Sequence, residues 1–433
     1  MAGHILRLDR RAVMAGLAAA ALQTRGRAAT ADPPSVALRC KPASLALREK
    51  EPATEVWSLG DQALHFKRGD RPEIMLANDL PVPVVLNWRG IDGVATFEPL
   101  LARSPLAASA SDKFQLPLRH AGTSLCDVAL LGDGAARSSR ALPLIVSETE
   151  PVAVDRDEVF LIEGWRLKSD GSAIAPGLDP AGTTAVYTVN GQLSRDITVR
   201  GRERLRLRFI NALPRHVIAL KIEGHDVTVA ALDGQPAEPF LARGGAFALA
   251  PGGRADVFVD VTPGSGTTPI MMHDGEAARP IARLLVPDEA PIRAAMLPAA
   301  TALPSNGMPA HLDLKNALRV DLPFGGGQKD WLRPASFTAG STPAFRVKPG
   351  RVVVLSLINR ATTTAVFHLH GHHFRLLDRL DDGWKPFWLD TIAIDAGQTQ
   401  RIAFAAEYAG RWLMETAEAS WSAPKLLRWF SVE

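Results

Sequence analysis

Hydrophobic and polar residues alternate along many short segments of this chain. In RERLRLRF, for example, Leu205, Leu207 and Phe209 are separated by arginines. Successive side chains of a strand point to opposite faces, so a period of two predicts a strand with one buried face. The segments VIALKI, DVTVAAL, ADVFVDV and RIAFAA follow the same pattern, and helical periodicity is scarce beyond the first 31 residues. The sequence therefore predicts an all-β fold of short strands punctuated by turns.

The arginines of this segment are spaced so that they share one face of the strand. Five of them have the same parity, namely Arg200, Arg202, Arg204, Arg206 and Arg208. We favour a solvated sheet face as their environment. The alternative is a basic surface that docks an anionic partner in the cell envelope.

A turn, an alternating strand and an asparagine recur three times along the chain. The glycine of the turn and the asparagine at the strand end are Gly69 and Asn78, Gly201 and Asn211, and Gly350 and Asn359. The glycines are 132 and 149 residues apart, a spacing that is too long for a solenoid repeat and fits whole domains. We predict three β-sandwich domains, at residues 32–150, 151–290 and 311–433, with a linker rich in proline and alanine at 291–310.

The first 31 residues have the features of an export signal. Arg10 and Arg11 precede the apolar run AVMAGLAAAAL, and the small residues ATA end the segment. The run is shorter than the roughly 20 apolar residues that span a bilayer, and a basic start with a short apolar core is typical of a cleavable signal. The paired arginines resemble a twin-arginine (Tat) signal. We therefore expect a periplasmic protein that is exported by the Tat route and has no membrane span.

Charge and cysteine content add two further expectations. The chain has a formal net charge of +3, but residues 1–31 hold five arginines and one aspartate, so the remainder carries −1. Such a charge gives no reason to expect binding to nucleic acid. Cys40 and Cys126 could form a disulfide in an oxidising compartment or remain buried thiols, and the sequence leaves both open.

Four of the eleven histidines lie in the stretch FHLHGHHFRLLD near the C-terminus. His368, His370 and His372 alternate, which predicts that they share one face of a strand, with His373 on the outer face. Histidine is the commonest side-chain metal ligand, so this stretch is the first candidate for a metal site. The isolated His120 is expected to be an ordinary loop or strand residue.

Several segments together resemble the multicopper oxidases, which are built from three cupredoxin domains. RGD…LAND…NWRGIDG resembles their first domain, INALPRHVIALKIEGHDVTVAALDGQPAEP their second, and FHLHGHHFRLLD with FWLDTIAIDAGQTQRIAFAAEYAGRW their third. The resemblance covers nearly the whole chain after residue 31. It implies three cupredoxin-like Greek-key β-sandwich domains behind a cleavable signal segment.

The family's copper ligands can be compared with this sequence one position at a time. Only His368 and His370 keep a ligand of the family's pattern. The positions that have lost it are Asn87, Arg89, Asp127, Ala129, Ala365, Glu415, Thr416, Ala417 and Trp421. A blue copper site needs a thiolate and two imidazoles, and Ala365, Thr416 and Trp421 stand in their places. The resemblance thus implies degenerate copper sites, in which Trp421 fills lost volume and two imidazoles are too few for the three-copper cluster.

The altered positions allow two interpretations of the former three-copper site. In the favoured one, Arg89 pairs with Asp127, Glu415 or both, and the resulting polar core replaces the charge of the metal. In the alternative, His368 and His370 hold a single metal ion together with Asp127 or Glu415.

The family also includes copper-free, Tat-exported periplasmic proteins that act as scaffolds in cell division and envelope maintenance. By resemblance to them we expect a scaffold or binding protein without catalytic residues and without a cofactor, which contacts a protein or another cell-envelope partner. The alternative is an oxidoreductase, either a copper-binding multicopper oxidase or an enzyme with a single metal at His368 and His370. The sequence leaves the partner, any substrate and the oligomeric state open.

Overall fold

Six β-sheets, paired face to face, form the framework of the residues that the structure describes. The structure is a computed structural model that describes residues 34–378, 383 and 385–433. The predicted all-β, cupredoxin-like class is confirmed, because the only helices among these residues are four short 3₁₀ turns. They span Ala95–Phe97, Ala129–Leu131, Arg243–Gly245 and Pro334–Ser336. The predicted signal segment, residues 1–31, lies outside the described residues.

The first sandwich is formed by strands from the N-terminal part of the described chain. They are β1 (Ser35–Leu45), β2 (Thr54–Ser58), β3 (Leu64–Lys67), β4 (Glu73–Asn78), β5 (Asn87–Arg89), β6 (Ser111–Gln115), β7 (Gly122–Asp127) and β8 (Leu142–Ser147). One sheet has the order β2-β1-β4-β6 and the other β3-β8-β7-β5. Trp57, Ile74 and Leu144 lie in the core between them. Cys40 and Cys126 are buried free thiols here, and burial raises the pKa of Cys40 to about 12.

The second sandwich is the largest of the three. Its strands are β9 (Arg156–Leu167), β10 (Thr184–Val189), β11 (Arg195–Thr198), β12 (Arg204–Asn211), β13 (Ile218–Ile222), β14 (Val227–Leu232), β15 (Gln235–Leu241), β16 (Ala246–Leu249), β17 (Arg254–Asp260), β18 (Gly266–His273) and β19 (Ala278–Val286). They form sheets of order β10-β9-β12-β17-β14-β15 and β11-β19-β18-β13-β16. Leu205, Leu207 and Phe209 of β12 all point into this core, as their alternation predicts.

The third sandwich contains the histidine-rich stretch. Its strands are β20 (Leu318–Phe324), β21 (Arg346–Val347), β22 (Val352–Asn359), β23 (Ala365–Leu369), β24 (Arg375–Leu377), β25 (Thr391–Ile394), β26 (Thr399–Ala405), β27 (Gly410–Glu418) and β28 (Leu426–Val432). They form sheets of order β20-β22-β26-β24 and β21-β28-β27-β23-β25. Phe324, Phe367 and Phe430 lie in its core. No helix among the described residues is long and apolar enough to cross a bilayer.

The recurring asparagine occupies the same structural position in each sandwich. It ends β4, β12 and β22, and each of these strands pairs in parallel with the first long strand of its own sandwich. The amides of Asn78, Asn211 and Asn359 are buried and donate to backbone carbonyls of two neighbouring loops. Each side-chain oxygen accepts the N–H two residues further on. One repeated sequence pattern therefore corresponds to one repeated strand end.

Both interpretations of the arginine face of β12 are wrong for Arg204, Arg206 and Arg208. These side chains are buried. Arg206 and Arg208 reach the first sandwich, because Arg206 donates to Glu148 at 2.8 Å and Arg208 donates to the Thr123 hydroxyl at 2.9 Å. Both also pair with the buried Asp256 of their own sandwich, whereas Arg204 pairs with Asp260. Arg206 and Arg208 therefore form an ion-paired interface between the first and second sandwiches.

Candidate functional site

Two pairs of neighbouring strands bring the altered copper-ligand positions together. In the first sandwich β5 pairs with β7, so that Asn87 lies opposite Asp127. In the third sandwich β23 pairs with β27, so that His368 lies opposite Glu415. The two strand pairs face each other, and the side chains of these four residues are all buried at their junction.

Glu415 is the centre of this cluster and accepts hydrogen bonds on both carboxylate oxygens. Arg89 donates to Oε2 at 2.8 Å, and the Lys425 ammonium lies 3.2 Å from the same oxygen. Asn87 Nδ2 donates to Oε1 at 2.8 Å, and His370 Nε2 lies 2.7 Å from it. Burial opposes the negative charge, but Arg89 and Lys425 outweigh burial and hold the pKa of Glu415 well below its usual value. The carboxylate is therefore ionised and fully partnered.

Asp127 is the weaker partner of Arg89. Its Oδ2 lies 4.0 Å from the guanidinium Nε, at the outer limit of an ion pair. Its other oxygen accepts the backbone N–H of Ala129 at 2.8 Å and so begins the short 3₁₀ turn there. Of the two partners that the sequence allows for Arg89, Glu415 makes the direct hydrogen bond.

His370 is held between two carboxylates. Its Nδ1 lies 2.9 Å from Glu98 Oε1, and its Nε2 donates to Glu415. Burial disfavours the charged ring, but Glu98 and Glu415 outweigh it and raise the pKa of His370 to about 9. His370 is therefore an imidazolium at neutral pH, with both ring nitrogens used as donors.

The sequence comparison missed Glu98 and Lys425, which complete this cluster. Glu98 follows the first 3₁₀ turn, outside every ligand motif, and its carboxylate also accepts the Leu413 N–H at 2.8 Å. Lys425 lies just before β28 and is buried. A buried carboxylate needs a charged or hydrogen-bonding partner, but no local pattern in the sequence marks which residue supplies it.

His368 has the opposite electrostatic environment to His370. Its Nδ1 lies 2.9 Å from the Thr391 hydroxyl and 3.1 Å from the Asp390 carbonyl, so Nδ1 carries the proton. Burial, followed by the charge of Arg89, lowers the pKa of His368 to about 3. Its buried Nε2 has no hydrogen-bond partner among the described residues. The ring is thus neutral and presents a free lone pair.

A cavity of about 110 Å³ lies beside this cluster, at the junction of all three sandwiches. Arg89, His368, Glu415 and Lys425 line one side of it. Donor atoms of His368, His370 and Glu415 lie within 4.8 Å of one another, so this is one of two groups in the described residues with the composition of a metal site.

The residues that the resemblance aligns with the blue copper ligands, Ala365, Thr416 and Trp421, are apolar or weakly polar. Ala365 and Thr416 are buried, and no described residue forms a hydrogen bond with the Thr416 hydroxyl. Trp421 is buried and donates its indole N–H to the Ala175 carbonyl of the second sandwich at 3.1 Å. The remaining altered positions, Ala129 and Ala417, line the cavity.

Two expectations for the histidine-rich stretch are wrong. β23 ends at Leu369 and the chain turns at Gly371, where φ is 65°, so His372 does not share a face with His368. His372 instead packs among four aromatic rings: Phe404, Tyr408, Trp412 and Phe430. His373 is buried rather than outward-facing, because the same turn directs it to Asp92 of the first sandwich, 2.7 Å from its Nδ1.

Family models for multicopper oxidases match two parts of the chain, residues 162–281 and 309–433. Together the two matches cover more than half of the sequence. The chain belongs to the multicopper oxidase superfamily. The sequence is 24% identical to multicopper oxidase MmcO of Mycobacterium tuberculosis in an alignment of 411 positions that covers 80% of this chain and 76% of MmcO.

Solved structures agree with this membership. A multicopper oxidase from Pseudomonas thermotolerans superimposes with a TM-score of 0.78 at 22% identity, over 92% of this chain and 99% of that protein. Lac15, from a marine microbial metagenome, superimposes with a TM-score of 0.76 at 25% identity, over 92% of this chain and all of Lac15. The similarity therefore extends over the three sandwiches of this superfamily member.

Proposed function

We propose that this protein is an exported superfamily member that has lost its copper sites and acts as a non-catalytic binding or scaffolding protein in the periplasm. One observation carries the proposal. Glu415 stands at a copper-ligand position of the family, and the cations against its carboxylate are the side chains of Arg89, Lys425 and the charged His370. Protein cations at this position oppose a copper ion electrostatically.

The donor set does not fit the blue copper ion of the family. That ion requires a cysteine thiolate and two imidazoles. Ala365 and Trp421 offer no ligand atom suited to copper, and Thr416 offers a hydroxyl in place of a thiolate. Without this site, electrons have no entry point for oxidase chemistry.

The donor set does not fit the three-copper cluster either. Only His368 and His370 remain as imidazoles at its positions. Both nitrogens of His370 are used as donors to carboxylates, so neither has a free lone pair for a metal. The charged side chains around Glu415 instead form a polar core that joins the first and third sandwiches.

The proposal is tested by two measurements, one of copper-dependent oxidation and one of the protein's role in the cell. The chain, expressed with its first 31 residues in a copper-supplied Tat-competent host, is assayed for copper-dependent phenol oxidation, with a copper-loaded oxidase that oxidises the same phenol as positive control. We expect no copper-dependent oxidation. In a strain that lacks the gene for this protein, the gene for the His368→Gln variant is expected to reverse the effect of the deletion as fully as the wild-type gene does. Copper-dependent turnover, or failure of the folded variant to restore the phenotype, would contradict a non-catalytic role.

A second candidate is an enzyme with one metal ion at His368, His370 and Glu415. The partnerless Nε2 of His368 and the mutual proximity of these donor atoms favour it. Binding would require His370 to lose a proton and Arg89 to move away from Glu415. In iron or zinc titrations this candidate predicts one bound ion that is lost in His368→Ala and retained in a His65→Ala control, since His65 is exposed.

A further inference from the structure

A second group of ligand-type side chains lies away from the former copper positions, where the three sandwiches meet. Asp92 and His120 belong to loops of the first sandwich, and His373 follows β23 in the third. One donor atom from each lies within 4.8 Å of the others. Asp92 and His373 are buried, and the side chain of His120 is 10% exposed, which leaves a narrow opening to solvent.

We propose that Asp92, His120 and His373 bind a single divalent transition-metal ion of the Zn²⁺ class, which fastens the first sandwich to the third. Two imidazoles and one carboxylate are a standard ligand set for such ions. This site is independent of the former copper positions and of the proposed function.

The orientation of His373 is fixed by a hydrogen bond from one of its ring nitrogens. Its Nε2 donates to the Asp233 carbonyl at 2.9 Å, so Nδ1 is the nitrogen that faces Asp92 and His120. Metal-binding histidines usually fix their orientation through a hydrogen bond of this type. The ion takes the place of the proton that His373 Nδ1 shares with Asp92.

His120 is oriented by a chain of hydrogen bonds from the linker. Asn306 accepts the Ala121 N–H at 2.9 Å, and its amide donates to Gln235 Oε1 at 3.0 Å. The nitrogen of the Gln235 amide therefore faces His120 Nδ1, 3.0 Å away. Because the amide is a donor, His120 Nδ1 carries a lone pair.

That lone pair and the Asp92 carboxylate are two acceptors that converge on one point. His120 Nδ1 lies 3.4 Å from Asp92 Oδ2. Ligand bonds of about 2.0–2.2 Å in a tetrahedral zinc site place neighbouring donor atoms about 3.3–3.5 Å apart. His373 Nδ1 is closer to Asp92, at 2.7 Å, because a proton now lies between them. On binding, the ion releases this proton to solvent, and the Gln235 amide keeps its hydrogens but turns away from His120 Nδ1.

The surroundings of this group favour a cation more than those of Glu415 do. Among the described residues, Asp92 forms ion pairs with the two imidazoles and with no arginine or lysine. A small cavity of about 10 Å³ adjoins Asp92 and His373 and is lined also by Glu407 and Tyr408. Its volume is about that of one small atom or water molecule.

The test is a calorimetric titration of the chelator-treated protein with Zn²⁺, supported by Co²⁺ absorption and thermal unfolding. Wild type and His65→Ala are expected to bind one ion and to unfold at a higher temperature with Zn²⁺. His120→Ala and His373→Ala each remove a ligand. We expect their affinity for Zn²⁺ to fall by at least roughly 10- to 100-fold, which is the loss seen when only a hydrogen-bond partner of a ligand is removed. Gln235→Glu adds an oxygen ligand and should bind Zn²⁺ more tightly than wild type. This variant provides a test that remains available if an alanine variant folds poorly.

Two results would overturn the proposal. One is Zn²⁺ binding by folded His120→Ala that equals wild type. The other is binding that is lost in His368→Ala and unchanged in His120→Ala, which would assign the ion to the Glu415 cluster. Neither result bears on copper-dependent oxidation, so the failure of this proposal is distinct from failure of the proposed function.

Discussion

The Arg89 guanidinium donates a 2.8 Å hydrogen bond to the Glu415 carboxylate and so joins β5 of the first sandwich to β27 of the third. By the resemblance to the superfamily, both residues align with histidine ligands of copper. Their charges are complementary, because Arg89 is positive and Glu415 is negative at the same junction. A protein ion pair thereby connects the first and third sandwiches.

Removing one partner of this pair should be costly. In Arg89→Met the ionised Glu415 remains buried with fewer donors, and we expect the free energy of unfolding to fall by about 3–5 kcal/mol. Denaturant unfolding measures the change. The control is Arg39→Met, which breaks an exposed pair with Asp79 and should leave the unfolding midpoint nearly unchanged. Equal, small effects of the two substitutions would show that the Arg89 pair does not hold the junction.

Stability should depend on pH through His370. Its pKa is raised from 6.5 to about 9 in the folded protein, so its contribution is fully present below pH 6.5 and is lost as the pH rises through about 9. A difference of this size corresponds to about 3 kcal/mol. The fall in unfolding free energy between these pH values should be smaller in His370→Gln than in wild type. Parallel pH profiles would contradict the charged state assigned to His370.

Much of the fold follows from local sequence patterns. Alternation marks β12 because Leu205, Leu207 and Phe209 must reach one core. The asparagine repeat marks the strand ends because only a short amide side chain can both donate to two loops and accept the N–H two residues on. The alternation and the turn–strand–asparagine repeat are both short patterns, so they can be recognised in a single sequence.

The recurring asparagine at the strand ends leads to a further prediction. Asn359→Ala should leave buried carbonyls of Thr363 and Ile394 without donors and lower the unfolding free energy by about 2–4 kcal/mol. Asn316→Ala is the control, since the side chain of Asn316 is exposed and donates to the nearby Asp313. Thermal or denaturant unfolding measures both. A tolerated Asn359→Ala would mean that the loops do not depend on this amide.

The environment of the arginine row could not be predicted from its pattern. A period of two separates the faces of a strand, but it does not distinguish water from a polar domain interface. The same limit applies to the site. The contact between Asp92 and His373 joins residues 281 positions apart, and Glu98 and Lys425 lie outside any ligand motif. Such contacts depend on how the sandwiches pack, which local periodicity does not encode.

Burial of the arginine row is itself testable. Arg208→Ala should lower the unfolding free energy by about 3–5 kcal/mol, because it leaves Asp256 underpartnered in the interface. Arg200→Ala, in the exposed part of the same row, should change the denaturation midpoint little. If the two variants unfold alike, the row is not an interface in solution.

The most direct test of the proposed loss of the copper sites is the metal content of the protein purified from its native compartment after growth with copper and iron supplied. Elemental analysis is made for wild type and for the double variant His368→Ala, His370→Ala. We expect no stoichiometric copper or iron in either protein. Stoichiometric copper or iron in wild type that disappears in a folded double variant would contradict this expectation.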